Sequence, residues 1–206
     1  MAGRLYTYVI THDAGFAPNP FFGVLTMNCC KPLIRQRAEV GDWIGATTAA
    51  DHPAGRGLLV YAMRITEKIT MADYDAWTRS ELPEKIPDLK SPDYRRKAGD
   101  SQYDFSGATP RRRPGFHQPV DMPTDLSGDH TLLSREFVYF GGDPMPVPEH
   151  LSPVVLKGRG HRSTANDPYV EDLAAWTGAF ESGRLYDQPM EVPGRSPLLT
   201  IERRAR

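Results

Sequence analysis

"CCKPLIRQRAEVGDWIGATTAA", residues 29–50, is the stretch of sequence that decides the predicted fold. Its first half predicts a short helix, because Pro32 is tolerated in a first helical turn and apolar residues for a core follow it, among them Leu33 and Val40. A Gly-Asp pair at positions 41–42 then ends the helix. The run "DWIGATTAA" that follows is typical of a strand.

The flanking sequence predicts further strands. Apolar and polar residues alternate in "RLYTYVITHD", residues 4–13, which indicates a strand that leads into a turn. Two prolines then enclose Asn19 in a loop that cannot be regular structure. "GLLVYAMRITEK", residues 57–68, is again β-rich, and the turn-forming "DHPAGRG" before it predicts a hairpin or a strand-to-strand connection.

Helices are predicted at two later positions. Thr70 is a suitable N-cap, with Asp73 three residues further on, for a helix in "TMADYDAWTRSEL". "DPYVEDLAAWTGAFESG", residues 167–183, is an amphipathic helix with Gly183 as its C-cap. Between the two helices, "HTLLSREFVYFGG" returns to strand character.

Residues 83–128 differ in composition from the rest of the chain. They are rich in proline, glycine and charge and poor in aliphatic residues, so they cannot bury enough apolar surface to fold alone. Aromatic residues within them favour a partly ordered flap over a disordered linker: Tyr94, Tyr103, Phe105 and Phe116.

The predicted fold is therefore α+β. We expect several strands curled into a small open barrel, short helices that cover its ends and a long irregular insertion in the middle. Strands do not alternate with long helices, which disfavours a doubly wound parallel sheet. We expect a single domain over residues 1–183, with the flap at 83–128, and an extended tail over 184–206 in which "SPLLTIERR" forms an edge strand.

Composition excludes several classes of function. The 206 residues include 25 Lys and Arg and 26 Asp and Glu, so no global positive field is available to hold a polyanion. No stretch reaches the roughly 20 apolar residues that span a bilayer, and the start of the chain lacks the pattern of a signal peptide. The expectation is a cytoplasmic protein with no membrane partner.

The doubled cysteine does not predict a metal or redox site. The six histidines show no ligand-type spacing to Cys29 or Cys30, and a disulfide between neighbours closes a strained ring. We expect no metal and no cofactor, and two small side chains buried where a strand ends and a helix begins.

Together these motifs resemble a known family. "YTYVITHDAGFAPNPFFGVLTMNCCKPLIRQRAEVGDWIGAT", "GLLVYAMRITEKITMADY", "GDSQY", "FVYFGG" and "LKGRGHR" are similar to the nucleotide modification associated domain family, second type, over nearly the whole chain to about Trp176. The resemblance implies a role in systems that make or handle modified bases in nucleic acid. The "GDW" segment also resembles the PUA, ASCH and EVE group, so the predicted barrel is PUA-like.

The family pattern falls on residues with suitable chemistry for a nucleotide. Lys31 and Arg35 are four apart on a helix and share a face, which suits two phosphate contacts; the alternative is a solvated face paired with Glu39. Asn19 can read a base edge or close an Asx turn. Trp43 either stacks on a base or belongs to the core.

The "KGRGHR" loop is the favoured binding segment, because its glycines let a ligand approach while Arg159 and His161 supply a guanidinium and an imidazole. Its alternative is a plain basic loop. Tyr103 and Tyr139 are further ligand candidates. Asp100 and His161 are the candidates for acid or base catalysis, although neither a nucleophile elbow nor a Ser-His-Asp order accompanies Asp100.

Three functions remain open at this point. The first is a binding module that recognises a modified base or nucleotide in nucleic acid, within a modification or defence system. The second is an enzyme that modifies or processes a nucleotide base. The third is an interaction subunit whose flap recruits a nucleic-acid modifying enzyme. Near-neutral charge favours a single nucleotide or a specific site over extended duplex binding.

Overall fold

The computed structural model describes residues 3–193 of the chain. Short strands and short helices follow one another. The strands are β1 Leu5–Ile10, β2 Leu25–Met27, β3 Trp43–Thr48, β4 Leu59–Arg64, β5 Glu67–Thr70, β6 Tyr103–Asp104, β7 Arg111–Arg112, β8 His130–Ser134, β9 Glu136–Tyr139, β10 His161–Arg162 and β11 Arg184–Leu185. The helices are α1 Pro32–Arg37, α2 Met71–Ser80, α3 Tyr94–Lys97, α4 Met122–Leu126 and α5 Val170–Thr177, and the 3-10 helices are Pro83–Lys85, Pro119–Asp121, Glu149–Val154 and Thr164–Tyr169.

Three sheets organise these elements. A six-stranded sheet has the order β10-β1-β3-β4-β9-β11, a three-stranded sheet has the order β2-β8-β5, and β6 pairs with β7. β1 and β3 are parallel, whereas β4 pairs antiparallel with both β3 and β9. The mixed α/β architecture with short helices is confirmed. In the described part of the chain the outer strands β10 and β11 do not pair, so the large sheet is no closed barrel, and a relation to PUA-like barrels stays a prediction.

Both faces of the six-stranded sheet are covered. On one face, side chains from β1, β3 and β4 pack against the three-stranded sheet and α1, in a core that includes Tyr8, Ile44, Leu25 and Ile34. The other face packs against α5 and the 3-10 helices around Leu5. Burying one large aliphatic side chain contributes about 1.5–3 kcal/mol to the stability of the fold. Packing on both faces therefore stabilises the six-stranded sheet on which the site is built.

The opening stretch folds largely as predicted. Helix α1 begins at Pro32, Gly41 has a φ of 95° in the turn before β3, and β3 and β4 form the expected antiparallel pair. The expectation that Leu33 and Val40 enter the core is wrong, because they are 49% and 59% exposed. Leu33 lies on the outer side of α1, next to the buried Ile34, and Val40 lies beyond the end of the helix.

The later helices confirm one cap and correct another. The Thr70 Oγ1 accepts a hydrogen bond from the Asp73 amide at 3.0 Å at the start of α2, as predicted. Helix α5 ends at Thr177, not near Gly183. Gly183 has a φ of 74° and turns the chain into β11 instead.

Residues 83–128 are built from short helices and the β6–β7 pair rather than from irregular chain alone. Several of their side chains are fully or almost fully buried: Lys85, Asp100, Ser101, Gln102, Tyr103 and Asp125. Four of them anchor the segment to the rest of the protein through hydrogen bonds: Lys85, Asp100, Ser101 and Asp125. Of the predicted tail, β11 falls on its first two residues, while all of "SPLLTIERR" lies outside the described residues. Among the described helices, none has the length and apolar character needed to span a bilayer.

Candidate functional site

A cleft of about 470 Å³ opens between the end of β1, the start of α1 and the middle segment. Its walls come from parts of the sequence that are far apart, since β1 supplies Tyr8 to Ile10, the turn before α1 supplies Cys30 and Lys31, and the middle segment supplies Phe116 and His117. A volume of this size can hold one nucleotide base with its substituent. The cleft is therefore the candidate site.

Cys30 lies in this cleft in an unusual backbone conformation. Its φ is 59° and that of the following Lys31 is 42°, both in the left-handed region that non-glycine residues rarely adopt. Cys29 is completely buried, whereas Cys30 is partly exposed. The turn therefore keeps the second of the two thiols at the wall of the cleft, where strained backbone is often associated with function.

His117 and Asp125 complete an arrangement of three groups around this thiol. The Nε2 of His117 lies 3.4 Å from the Cys30 Sγ, and its Nδ1 lies 2.5 Å from Asp125 Oδ2. Asp125 Oδ1 also accepts a hydrogen bond from the Cys30 amide at 3.0 Å. A nucleophile, a base and a residue that orients the base are thus within contact of one another.

Further hydrogen bonds fix the carboxylate of Asp125 and the backbone around it. Tyr103 donates its hydroxyl to Asp125 Oδ2 at 2.7 Å, and the buried Arg35 guanidinium donates to the Asp125 and Cys30 carbonyls at 2.5 and 2.8 Å. Arg35 is 0% exposed and donates also to the His130 carbonyl at 2.7 Å. Its role in the structure is to join α1, α4 and β8 behind the site.

The charges of the three groups reinforce one another. Burial lowers the pKa of His117, but the hydrogen bonds to Asp125 and Cys30 outweigh it and raise that pKa to about 10. Burial raises the pKa of Asp125, and the hydrogen bonds from His117, the Cys30 amide and Tyr103 bring it below its ordinary value. His117 is therefore an imidazolium near neutral pH, and it places a positive charge beside the Cys30 sulfur.

Aromatic rings form the outer wall of the cleft. Phe16 and Phe116 are stacked with ring centroids 5.3 Å apart and an interplanar angle of 10°, and Phe16 also contacts the His117 ring edge-on at 4.8 Å. Phe116 is 39% exposed, so its ring faces the entrance. Exposed aromatic faces of this kind stack on bases without sequence preference.

Lys31 lines the inner wall. Its ammonium lies 4.4 Å from the centroid of the Tyr8 ring, and the Tyr8 hydroxyl contacts that of Tyr61 at 2.9 Å. Burial lowers the pKa of Lys31, while Cys30 acts in the opposite direction. This cation is near the thiol and away from the ordinary protein surface.

Among the described residues, one group of side chains near the cleft could act as metal ligands. Ligand atoms of Cys29, His117 and Asp125 lie within 4.8 Å of one another, with Cys29 and Asp125 buried. These residue types suit zinc, which usually takes four ligands in a structural site. An ion between His117 and Asp125 would have to replace their direct hydrogen bond, so the observed geometry matches a hydrogen-bonded relay more closely than a coordination sphere.

The structure places four of the residues predicted from sequence in the interior. Asn19 is 0% exposed, donates to the Ala98 carbonyl and accepts from the Phe21 amide, so it closes an Asx turn rather than facing a ligand. Asp100 is 0% exposed and accepts from Tyr74 and Thr26, away from the lining of the cleft. Tyr103 and Tyr139 donate their hydroxyls to Asp125 and Asp13.

The other predicted residues are spread over three regions. Lys31 lines the cleft, but Arg35 is buried and does not share an exposed face with it, because Lys31 is the left-handed N-cap of α1. Trp43 lies in a separate groove between β9 and α5. Arg159 is exposed in its loop, and His161 lies beside Tyr6 with ring centroids 6.0 Å apart.

Sequence reasoning missed the principal members of the site. His117, Asp125 and Phe116 were not candidates, and both cysteines were expected to be buried. The signal available was weak, since a cysteine with histidines and aspartates elsewhere in the chain suggests a nucleophile only after the fold has joined them. His117 and Asp125 are 87 and 95 residues from Cys30.

Taken together, the fold and the cleft define a mixed α/β protein with a cysteine, histidine and aspartate relay beside the edge of its main sheet. The model of the nucleotide modification associated domain 2 family matches residues 2–195, and the chain belongs to that family. The family name connects the protein with nucleotide modification. No curated protein and no solved structure matches the chain.

Proposed function

We propose that the protein is a cysteine-dependent enzyme that acts on an acyl substituent of a nucleotide base. The observation that carries the proposal is the Cys30, His117 and Asp125 relay, whose thiol and imidazole both line the cleft. The nucleotide part of the proposed substrate follows from membership of the family. The acyl part follows from the relay, because an activated thiol attacks carbonyl carbons.

The reaction proceeds in two balanced steps. The Cys30 sulfur forms a bond to the carbonyl carbon of an amide substituent, the bond from that carbon to the base nitrogen breaks, and His117 delivers a proton to the departing nitrogen. Water then attacks the thioester, releases a carboxylic acid and returns the proton to the Cys30 and His117 pair. Asp125 holds the imidazole with Nε2 towards the sulfur.

A binding module that recognises a modified base is the second candidate. The stacked Phe16 and Phe116 rings at the entrance favour it, because they offer a flat apolar surface to a base whether or not a reaction follows. A reader has no need for a thiol held against an imidazolium, and this difference supports the enzyme as the first proposal. Recruitment of a separate modifying enzyme has no specific support in the geometry.

Intact-mass spectrometry tests the first step directly. p-Nitrophenyl acetate is an acyl donor of general reactivity, and the full-length protein should gain one acetyl group on Cys30 with a burst of nitrophenolate equal to the protein concentration. The adduct should be absent in Cys30→Ala and should form at least tenfold more slowly in His117→Gln, since a positioned acid or base contributes about 10²–10⁴-fold. Cys29→Ala is the matched control and should keep the adduct.

The second step is tested with nucleotides that carry an acyl group, such as N4-acetylcytidine monophosphate and N6-acetyladenosine monophosphate. Release of acetate by the wild-type protein and not by Cys30→Ala supports the enzyme. Equal nucleotide binding by both proteins, with no acetate and no adduct, supports the reader instead. Reactivity that depends on added zinc and disappears with a chelator would replace the relay by a metal site at Cys29, His117 and Asp125.

A further inference from the structure

We propose that Lys31, Arg37 and His161 form an anion subsite beside the cleft, which takes the phosphate of the nucleotide whose base enters it. The subsite rests on the proposed function only for the identity of the ligand. Its existence as a phosphate site is independent of any chemistry at Cys30.

The course of α1 places the first two cations. The Lys31 ammonium lies over the Tyr8 ring at 4.4 Å, while at the other end of the helix the Arg37 carbonyl accepts a hydrogen bond from the Tyr6 hydroxyl at 3.2 Å. Tyr6 and Tyr8 are two residues apart on β1 and therefore point to the same face of the sheet. Helix α1 thus lies along this face with one cation near each of its ends.

The strand β10 places His161 on the same face of the sheet. In the antiparallel pair of β1 and β10, His161 lies opposite Tyr8, so the two side chains share a face. Its ring centroid is 6.0 Å from that of Tyr6. The imidazole is therefore adjacent to the part of β1 that α1 covers, just beyond the wall of the cleft formed by Tyr8.

The electrostatic surroundings of His161 agree with this placement. Burial lowers the pKa of His161, and the positive charges of Arg37 and Lys31 lower it further. Among the described residues, neither Lys31 nor Arg37 forms a salt bridge with a carboxylate. Cationic or ionisable groups that form no salt bridge in the described part of the chain are a suitable site for a phosphate dianion.

The subsite also explains how a nearly neutral protein can hold a nucleotide. The formal net charge of −1 offers no general attraction, so the positive charge has to be local. Phosphate held by α1 and β10 would orient the nucleotide, while the base enters towards Cys30 and the rings of Phe16 and Phe116. Phosphate contacts position a nucleic acid, whereas contacts to the base determine specificity.

The first test uses inorganic phosphate alone. Titration of the six histidines in the full-length wild-type protein is followed by NMR in phosphate and in chloride at equal ionic strength, with His161→Gln to assign the resonance. Phosphate should move the His161 titration to higher pH, because the bound anion stabilises the imidazolium. The shift should be smaller in Arg37→Gln and unchanged in Arg184→Gln, a matched arginine on the opposite edge strand of the same sheet. Identical His161 titrations in the two salts would overturn the subsite.

The second test distinguishes the sources of the phosphate. Binding of thymidine, thymidine monophosphate and single-stranded oligothymidylate is measured at several salt concentrations. The protein used is Cys30→Ala, which lacks the proposed nucleophile, so only binding is observed. Arg37→Gln should weaken binding of the monophosphate about tenfold and leave binding of the nucleoside unchanged, since the variant loses a charge-assisted hydrogen bond to the phosphate. A salt slope for the oligomer that falls by about 1 in the variant indicates a strand as the source. An equal salt slope in both proteins, together with tight binding of the monophosphate, indicates a free nucleotide as the source. Phosphate binding without acetate release from the acylated nucleotides would support the subsite and reject the proposed enzyme.

Discussion

The Nε2 of His117 lies 3.4 Å from the Sγ of Cys30, although the two residues are 87 positions apart in the sequence. This contact exists because the middle segment folds back onto the turn before α1. The loop that carries His117 is held by hydrogen bonds from its amide to the Gln102 side chain and from Arg112 to its carbonyl, each 2.9 Å long. The segment is therefore a part of the site and more than a cover for it.

Thiol reactivity should differ sharply between the two adjacent cysteines. Burial raises the pKa of the Cys29 thiol, which also has no exposed surface, whereas Cys30 lies beside an imidazolium in the cleft. Iodoacetamide should therefore modify Cys30 first in the native protein. The measurement is the rate of mass increase in Cys29→Ser and Cys30→Ser, of which only the first should react quickly.

The same experiment separates the relay from simple exposure. His117→Gln should slow alkylation of Cys30 by about tenfold or more, because it removes the positive charge that stabilises the thiolate. His12→Gln is the matched control, since His12 lines the same cleft but makes its side-chain contact with Glu191. Equal rates in wild type and His117→Gln would show that the imidazole does not activate the thiol.

Arg35 should prove to be a stability residue. Its guanidinium is 0% exposed and donates to three carbonyls, so Arg35→Met leaves buried acceptors without partners. We expect a loss of about 3–5 kcal/mol in the free energy of unfolding, the range for removing one member of a buried charged network. Urea denaturation measures it, with the exposed Arg37→Met as a control that should change by no more than about 0.5 kcal/mol.

The space around Arg35 gives an independent prediction. A Cβ added at Gly128 would lie 2.3 Å from the Arg35 Cζ, which is closer than two carbon atoms can approach. Gly128→Ala should therefore displace the guanidinium and cost about 1–3 kcal/mol of stability. Gly158→Ala in the exposed loop is the control, because no atom lies within 4 Å of the added Cβ. Equal thermal stability of the two variants would contradict the close packing.

The sequence predicted local structure better than it predicted the site. The turn at Gly41, the cap at Thr70 and the β3–β4 pair follow from short-range preferences, and the structure contains all three. The basic residues of α1 were read from helical spacing alone, which cannot show that Arg35 is covered by α4 and β8. Lys31 lies off the predicted face because, with a φ of 42°, it is the N-cap, and α1 begins one residue after it.

The site itself depends on long-range contacts that no local pattern contains. Composition suggested that residues 83–128 could not fold alone, but it did not identify the residues with which their polar side chains would form hydrogen bonds. In the structure these residues find partners in other parts of the chain, as Asp125 does in the Cys30 amide and Lys85 does in Asn19. Buried polar contacts of this kind offset the small amount of apolar surface, and only the folded chain identifies them.

The buried Lys85 gives the last prediction, on stability and pH. Its ammonium is 0% exposed and donates to the Asn19 carbonyl and side chain, the Val24 carbonyl and the Thr26 hydroxyl at 2.7–3.0 Å. Burial lowers the pKa of Lys85 from 10.5 to about 7, although the charge of Asp100 acts in the opposite direction. Between these two pH values the unfolded chain binds a proton that the folded protein does not.

The free energy of unfolding that depends on Lys85 should therefore rise with pH from about 7 to about 10.5, with a slope of at most about 1.4 kcal/mol per pH unit, and then level off. Where the dependence levels off, near pH 10.5, Lys85→Met should be less stable than the wild type by about 3–5 kcal/mol, because the acceptors around the Lys85 nitrogen remain buried and unpaired. Lys90→Met, an exposed change in the same segment, is the control and should follow the wild type at every pH. Urea denaturation at intervals across this range measures all three proteins, and a wild-type minus Lys85→Met difference that stays constant with pH would show that Lys85 keeps its charge in the folded protein.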